Sequence, residues 1–355
     1  MSAPAALPPT EEIIVIGADG CDLKVDYLND YLRTGATVWQ YSGNTIDFGR
    51  FDKIARFVDE NPSKVVLAKS YSDILAAKQA AKVAMVVGVQ DLWTLEPPWR
   101  ADSDYPPNDW VAYPPKTHLS DYYERGLRIA NLSYNLSSFF GGGCLDPTTP
   151  LSRAGKYIVG QMQEMGILVD CSHSSEQTSL DIISMATRPV VFSHSNPVGI
   201  VDNPRNISDR LIEGIAKKGG LIGLNPLNVF LLWSRKDAPD ADTGPFPPLA
   251  SISQYVDAMD YVVRLVGIDY VAIGSDFTVG NPRDPEIPPV PSKSFTYPPE
   301  MAYNEPAGLD YVEHFEKVSD LPNLRAELMR RYSSRDTAKI LGGNWMRVFR
   351  QAWNS

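Results

Sequence analysis

Short runs of apolar, β-branched residues recur along the chain, and between them lie stretches with apolar residues every three or four positions. The runs predict buried strands at Ile13–Gly17, Ala36–Gln40, Ala84–Val89, Leu127–Leu132, Ile167–Cys171, Pro189–Phe192, Leu221–Leu224 and Val271–Gly274. The intervening pattern predicts amphipathic helices at Ser152–Met165, Glu176–Met185, Ser208–Ala216 and Gln254–Val266, with Ser152 and Ser208 near the N-caps. Strands that read as continuous apolar runs, not as alternating ones, require burial on both faces, as in a parallel sheet covered by helices. Strand-helix alternation of this kind predicts an α/β fold, a closed (β/α)8 TIM barrel. A doubly wound open sheet is the alternative arrangement.

Three Pro-rich stretches, Glu96–Lys116, Arg235–Leu249 and Asn281–Glu300, interrupt the rhythm and hold more than half of the 29 prolines. They carry Trp99, Trp110, Phe246, Phe295 and Tyr297 and are expected to form ordered walls over one face. From residue 302 to 355 the pattern predicts three or four helices packed on the barrel's flank, and residues 1–12 read as an extended or disordered N-terminus. The whole chain, residues 1–355, reads as one barrel domain.

Composition narrows the partners. With 33 Lys and Arg against 43 Asp and Glu the net charge is −10, and no basic cluster occurs, which argues against nucleic acid. No apolar run is long enough for a membrane anchor, and the N-terminus lacks a basic region followed by an apolar one, so a cytoplasmic location is expected. The sequons beginning at Asn131, Asn135 and Asn206 therefore read as chance. Three cysteines, Cys21, Cys144 and Cys171, are too few for a disulfide framework, and any histidine-based metal site must draw on His118, His173, His194 and His314.

In a parallel barrel, functional residues sit just past the C-terminal ends of the strands. There the chain reads Leu168-Val-Asp-Cys-Ser-His173, Val190-Val-Phe-Ser-His194 and Ala272-Ile-Gly-Ser-Asp276. A lone histidine at a strand end is ordinarily a hydrogen-bonded structural residue. Two in the same Ser-His context on successive strands, with an acid on a third, point instead to a metal site of imidazole and carboxylate ligands, with zinc the matching ion. Weaker features take ordinary readings: Gly141–Gly143 as a flexible turn, His118 as a capping or surface residue, His314 as a solvated or packed helix residue, Glu164 and Asp170 as acids without convergent context, and Cys171 as core. Trp93, Trp99 and Trp110 read first as buried packing, or else as pocket walls.

The strings Leu132-Ser-Tyr-Asn135, Leu151-Ser-Arg-Ala-Gly155, Val169-Asp-Cys-Ser-His173, Pro189-Val-Val-Phe-Ser-His194, Arg205-Asn206 and Ile273-Gly-Ser-Asp-Phe277 resemble the membrane (renal) dipeptidase family. The resemblance covers nearly the whole chain and implies a metal-dependent hydrolase on an amidohydrolase-type barrel. It implies paired zinc ions held by a His-x-Asp after the first strand, a bridging Glu after the third, a His after each of the fifth and sixth, and an Asp after the eighth. His173 and His194 match the two histidines, and Asp276 matches the acid that ligates metal and acts as base. Arg205 matches the arginine that receives the substrate carboxylate, a fork suited to a free C-terminus. Homodimer formation is implied by the resemblance alone.

The chain departs from that pattern where the family reads Asp-Gly-His-Asn-Asp. Here stands Asp19-Gly-Cys-Asp-Leu23. Aligned on Asp19, Cys21 replaces the His and Leu23 the Asp; aligned on Asp22, that acid is kept and Gly20 replaces the His. The bridging glutamate is Gln90, and the histidine after the fourth strand is Tyr134, which retains a hydrogen-bond donor for a developing oxyanion. Three readings stay open. In the first, a single zinc per chain is held by His173 and His194 with Gln90, Asp276 or Asp22, and hydrolyses a dipeptide or dipeptide-like amide. In the second, the scaffold is repurposed as a lyase, isomerase or cyclase acting on an amino-acid-derived metabolite. The third is a non-catalytic binding protein. All three imply a small-molecule ligand with a free carboxylate.

Overall fold

Inside each strand, neighbouring residues go to different cores. Val15, Val38, Ala84, Val86, Leu168, Val191, Leu221 and Ala272 share one buried cluster, while their neighbours Ile16, Trp39, Met85, Val87, Val169, Phe192, Ile222 and Ile273 belong to another. A strand alternates sides with period two, so two buried faces make its sequence apolar throughout. The first cluster fills a barrel interior. The second lies between the barrel and its surrounding helices.

The computed structural model describes residues 12–43, 47–92, 95, 119–232, 249–278 and 311–353. Among them are strands β1 (Val15–Asp19), β2 (Val38–Gly43), β3 (Val65–Leu67), β4 (Val83–Val89), β5 (Leu127–Asn131), β6 (Leu168–Asp170), β7 (Val190–Phe192), β8 (Leu221–Leu224) and β9 (Val271–Ile273). All pairings are parallel, in the order β1-β2-β4-β5-β6-β7-β8-β9, and a parallel bridge between Gly17 and Gly274 joins the last strand to the first. The fold is a (β/α)8 barrel, with helices such as Arg153–Met165, Glu176–Met185 and Asp209–Lys217 between successive strands. Ser152, Ser175 and Ser208 cap those three helices, each accepting a backbone N–H from the first turn.

Two features depart from expectation. Strand β3 is an addition, pairing with the first half of β4 (Val65 with Val83) while β5 takes the second half (Val87 with Leu127). Three residues are too few to show a period. The C-terminal helix Asn344–Ala352 closes the base of the barrel and does not lie on its flank. Trp345, Met346, Val348 and Phe349 join the interior cluster beside the strand-starting residues Val15, Val38 and Leu221. The Trp345 indole donates to Ile273 O at 3.0 Å, and burying that ring contributes on the order of 4 kcal/mol. With the base plugged, the open end is the rim past the strand C-termini. No helix of the described residues is long and apolar enough to cross a membrane. The Pro-rich stretches with Trp99, Trp110, Phe246, Phe295 and Tyr297, and also Trp93 and His118, lie outside the described residues, apart from the stretches' outermost residue Leu249.

Candidate active site

Strand β6 ends at Asp170 and β7 at Phe192, so His173 and His194 emerge at the same height of adjacent strands. The Cys171–Ser174 turn closes on a 3.0 Å bond from Ser174 N to Cys171 O, and His173 inside it has φ +67°. A non-glycine residue there costs on the order of 1 kcal/mol or more, which the surrounding contacts must over-determine. One such contact is Cys144 N donating to His173 O at 2.8 Å. Gly223 and Gly274 let the Ser193 carbonyl approach: an added Cβ at either would lie 2.0 Å from that oxygen.

The two imidazoles face each other with Nε2 atoms 2.8 Å apart. His173 Nδ1 is 2.7 Å from Asn135 Oδ1, an atom that only accepts, so Nδ1 carries the proton and Nε2 the lone pair. His194 Nδ1 is 2.7 Å from Ser193 Oγ, and that hydroxyl also contacts Asp170 Oδ2. Asp170 Oδ1 accepts the N–H groups of Ser172 and Ser193, both at 2.9 Å. Burial pushes the Asp170 carboxyl up from 3.8, while the bonds from Ser193 and Ser172 pull it back. With Asp170 as acceptor, the Ser193 hydroxyl donates to it and takes the proton of His194 Nδ1, which leaves the Nε2 lone pair facing His173. Burial, and secondarily Arg205, hold both histidines well below 6.5 and therefore neutral.

Asp170, set aside in the sequence, thus anchors one histidine, and Asn135 anchors the other. Their signal is visible only in the barrel register, which brings Asp170 opposite Val191 and so beside Ser193. The Gly141–Gly143 segment is a packed close approach and not a flexible turn, since a Cβ at Gly143 would lie 2.2 Å from the Asn135 carbonyl.

Around the pair, the Tyr134 ring stacks on His173 with centroids 4.1 Å apart and planes 22° from parallel. Arg205, 3% exposed, has Nη2 at 3.1 Å from His173 Nε2 and 3.4 Å from His194 O. A cavity of about 400 Å³ opens beside them, lined among others by His173, Arg205, Cys144, Glu176 and Asn206. Gln90 is buried just past β4. Asp276 follows β9 with φ +48°, and its Oδ2 accepts from Asn225 Nδ2 at 2.9 Å.

The first-strand segment contributes differently. Asp22 stands in solvent, its side chain 60% exposed and paired with Lys24 at 3.3 Å. Asp19 is buried and accepts from Tyr27 at 2.7 Å, Tyr31 at 2.5 Å and Cys21 N at 3.0 Å. Burial, with Asp19 nearby, pushes the Cys21 thiol well above 9.0, away from the thiolate a metal needs. Among the described residues no three His, Cys, Asp or Glu side chains converge as a metal group. Cys171 is fully buried core, and His314 is an exposed neighbour of Glu313 that lies in a turn and not, as expected, in a helix.

Residues 43–286 and 304–355 match the model of the membrane dipeptidase family, peptidase family M19. The chain belongs to this family. The dipeptidase ataJ of Aspergillus terreus is 28% identical over 328 residues, which are 85% of this chain and 66% of that protein, so the chain spans just under two thirds of that relative's length. Among solved structures, an amidohydrolase from Pseudomonas aeruginosa superposes with a TM-score of 0.78 at 24% identity, covering 98% of both chains. A metallopeptidase from Rhodobacter sphaeroides, solved with a phosphinate mimic of the dipeptide L-Ala-D-Ala, does so at 0.69 and 16% identity, covering 97% of this chain and all of the other.

The membrane dipeptidases are metallopeptidases, so a metal cofactor is implied. The donor chemistry tests that implication. Two buried imidazoles turn their Nε2 atoms toward one another, and each Nδ1 is already held by an outer partner, a donor set of the kind that suits one metal ion. The His173–His194 pair therefore fits one metal ion. The first-strand residues do not fit a second.

Proposed function

We propose that the rim binds a dipeptide or dipeptide-like amide through its free carboxylate and hydrolyses it with one zinc ion held by His173 and His194. The observation that carries this reading is the facing Nε2 pair, with both tautomers set from outside and a buried guanidinium alongside. Imidazole nitrogen suits zinc, which when bound polarises a carbonyl and acidifies a water molecule. Arg205 takes the substrate carboxylate in a two-point, charge-assisted contact and so sets which amide faces the histidines. Tyr134, stacked on His173, donates its phenol hydrogen toward the oxygen that gains charge. Asp276, oriented by Asn225, accepts the proton of the attacking water and returns it to the leaving amine. Gln90 offers a neutral amide oxygen at the same rim. The dipeptidase name of the Aspergillus relative and the dipeptide mimic bound in the Rhodobacter structure support the substrate class.

A second reading is favoured by one specific contact. Arg205 already sits on His173 Nε2, an arrangement that suits metal-free recognition of a carboxylate, either by an enzyme of non-hydrolytic chemistry or by a binding protein. Metal analysis of protein purified without chelator separates the two. About one zinc per chain, lost in His173→Ala, is the expected result, together with dipeptide hydrolysis. Absence of metal, with ligand-dependent thermal stabilisation and no turnover, would instead establish the metal-free reading.

A further inference from the structure

Arg205 brings a buried positive charge to the rim. It is 3% exposed, and among the described residues no carboxylate pairs with it. Glu176 and Asp202 line the same cavity, but Glu176 accepts from Ser208 at 2.8 Å and Asp202 is exposed. Asp170 lies behind Ser193 and is engaged by the N–H groups of Ser172 and Ser193 and the Ser193 hydroxyl. A buried cation without a counter-charge is costly and calls for an anion.

The position of the guanidinium adds a second constraint. Its Nη2 donates to the lone pair on His173 Nε2, at 3.1 Å, that a metal ion would use. Guanidinium and metal therefore compete for one nitrogen, and a divalent ion entering alone would meet an unscreened positive charge in a buried space. A carboxylate that draws Arg205 off the imidazole removes the competitor and supplies the missing negative charge.

We propose that metal ion and carboxylate ligand enter this site as a linked pair. Arg205 occupies His173 Nε2 until a carboxylate draws it away, so each ligand raises the affinity of the other. The inference rests on the reading above that both bind at this rim. It adds that the chain alone holds the metal less tightly than it does once the substrate's carboxylate has taken Arg205 off His173.

The test is a titration of untagged protein with Zn2+ against a chromophoric chelator, alone, with saturating N-acetylglycine, and with uncharged N-acetylglycinamide as control. N-acetylglycine is expected to tighten zinc binding about tenfold or more, and the amide less than about twofold. By reciprocity, zinc tightens N-acetylglycine by the same factor in calorimetry. Arg205→Met is expected to bind zinc more tightly than the parent without any carboxylate and to lose the coupling. Arg205→Lys, which keeps the charge without the planar fork, serves if the methionine variant does not fold and is expected to show weakened coupling. Equal zinc affinity with acid and amide, while calorimetry registers binding of the acid, overturns the linkage and leaves the proposed function standing. Zinc binding with no detectable binding of the acid overturns both the linkage and the carboxylate-binding role of Arg205. Absence of zinc binding under every condition overturns the linkage together with the metal reading.

Discussion

After β6 and β7 the rim carries two histidines whose Nδ1 atoms are held by Asn135 and by the Ser193–Asp170 pair, so that their other nitrogens face each other. After β1 the acid Asp19 is just as buried, but its oxygens face inward to Tyr27 and Tyr31 of the helix Val25–Thr34 and to Cys21 N. The two regions use similar residue types at equivalent places. What separates them is the direction of the uncommitted lone pair. On one side the outer partners orient a donor toward the rim, and on the other side the packing layer consumes it.

This contrast can be broken in order of expected effect. His194→Ala removes half of the facing pair and is expected to lower kcat/KM toward dipeptides by roughly a thousandfold, with loss of bound metal by elemental analysis. Asp170→Asn leaves His194 in place but loosens its tautomer. Zinc affinity measured by chelator competition is expected to fall about 10- to 100-fold, the usual scale for outer partners of metal-binding histidines. If zinc affinity is unchanged in that variant, the two sides of the rim do not differ in the way described.

Acidification probes the same pair. Both histidines have folded pKa values below 6.5, so the unfolded chain takes up protons first as pH falls. Their effect on stability is absent above 6.5, and below it stability drops by up to about 1.4 kcal/mol per histidine per pH unit, readable by denaturant unfolding. A His194→Gln variant is expected to show about half of that slope. On the first-strand side, Asp19→Asn is expected to cost about 1 to 2 kcal/mol in thermal unfolding through its tyrosine bonds, with zinc affinity unchanged. Asp22→Asn, at an exposed ion pair, is expected to move neither stability beyond about 0.5 kcal/mol nor zinc affinity.

Much of the barrel was legible because strands buried on both faces must be apolar along their whole length. Each of the eight predicted strands overlaps an observed one, and Glu176–Met185 agrees to the residue. The short β3 escaped because three residues carry no period, and the base-plugging role of Trp345 escaped because an amphipathic helix does not declare which apolar surface it will cover. At the site, His173, His194 and Arg205 stood out by their place after strands and by resemblance. Asn135, Ser193 and Asp170 lay inside the strings singled out but were given no role there, since what they do rests on hydrogen bonds that join Asn135 to His173 across 38 positions and Asp170 to Ser193 across 23. Asp22 and Asp19 show the converse. A sequence alignment offers both, and only burial and partners show that one stands in solvent and the other belongs to the packing.

By itself the sequence determined the layered barrel, the rim on which chemistry would gather, and the scarcity of histidine that leaves few candidates for any metal centre. Those properties follow from patterning and composition, which are local and additive. The tertiary structure decided which lone pairs point at one another, that a buried arginine rests on the same nitrogen a metal would take, and that the first-strand acid is enclosed by tyrosines. Each of these depends on distances of 2.5 to 3.1 Å between residues far apart in the chain, and only strand register and helix packing set distances on that scale.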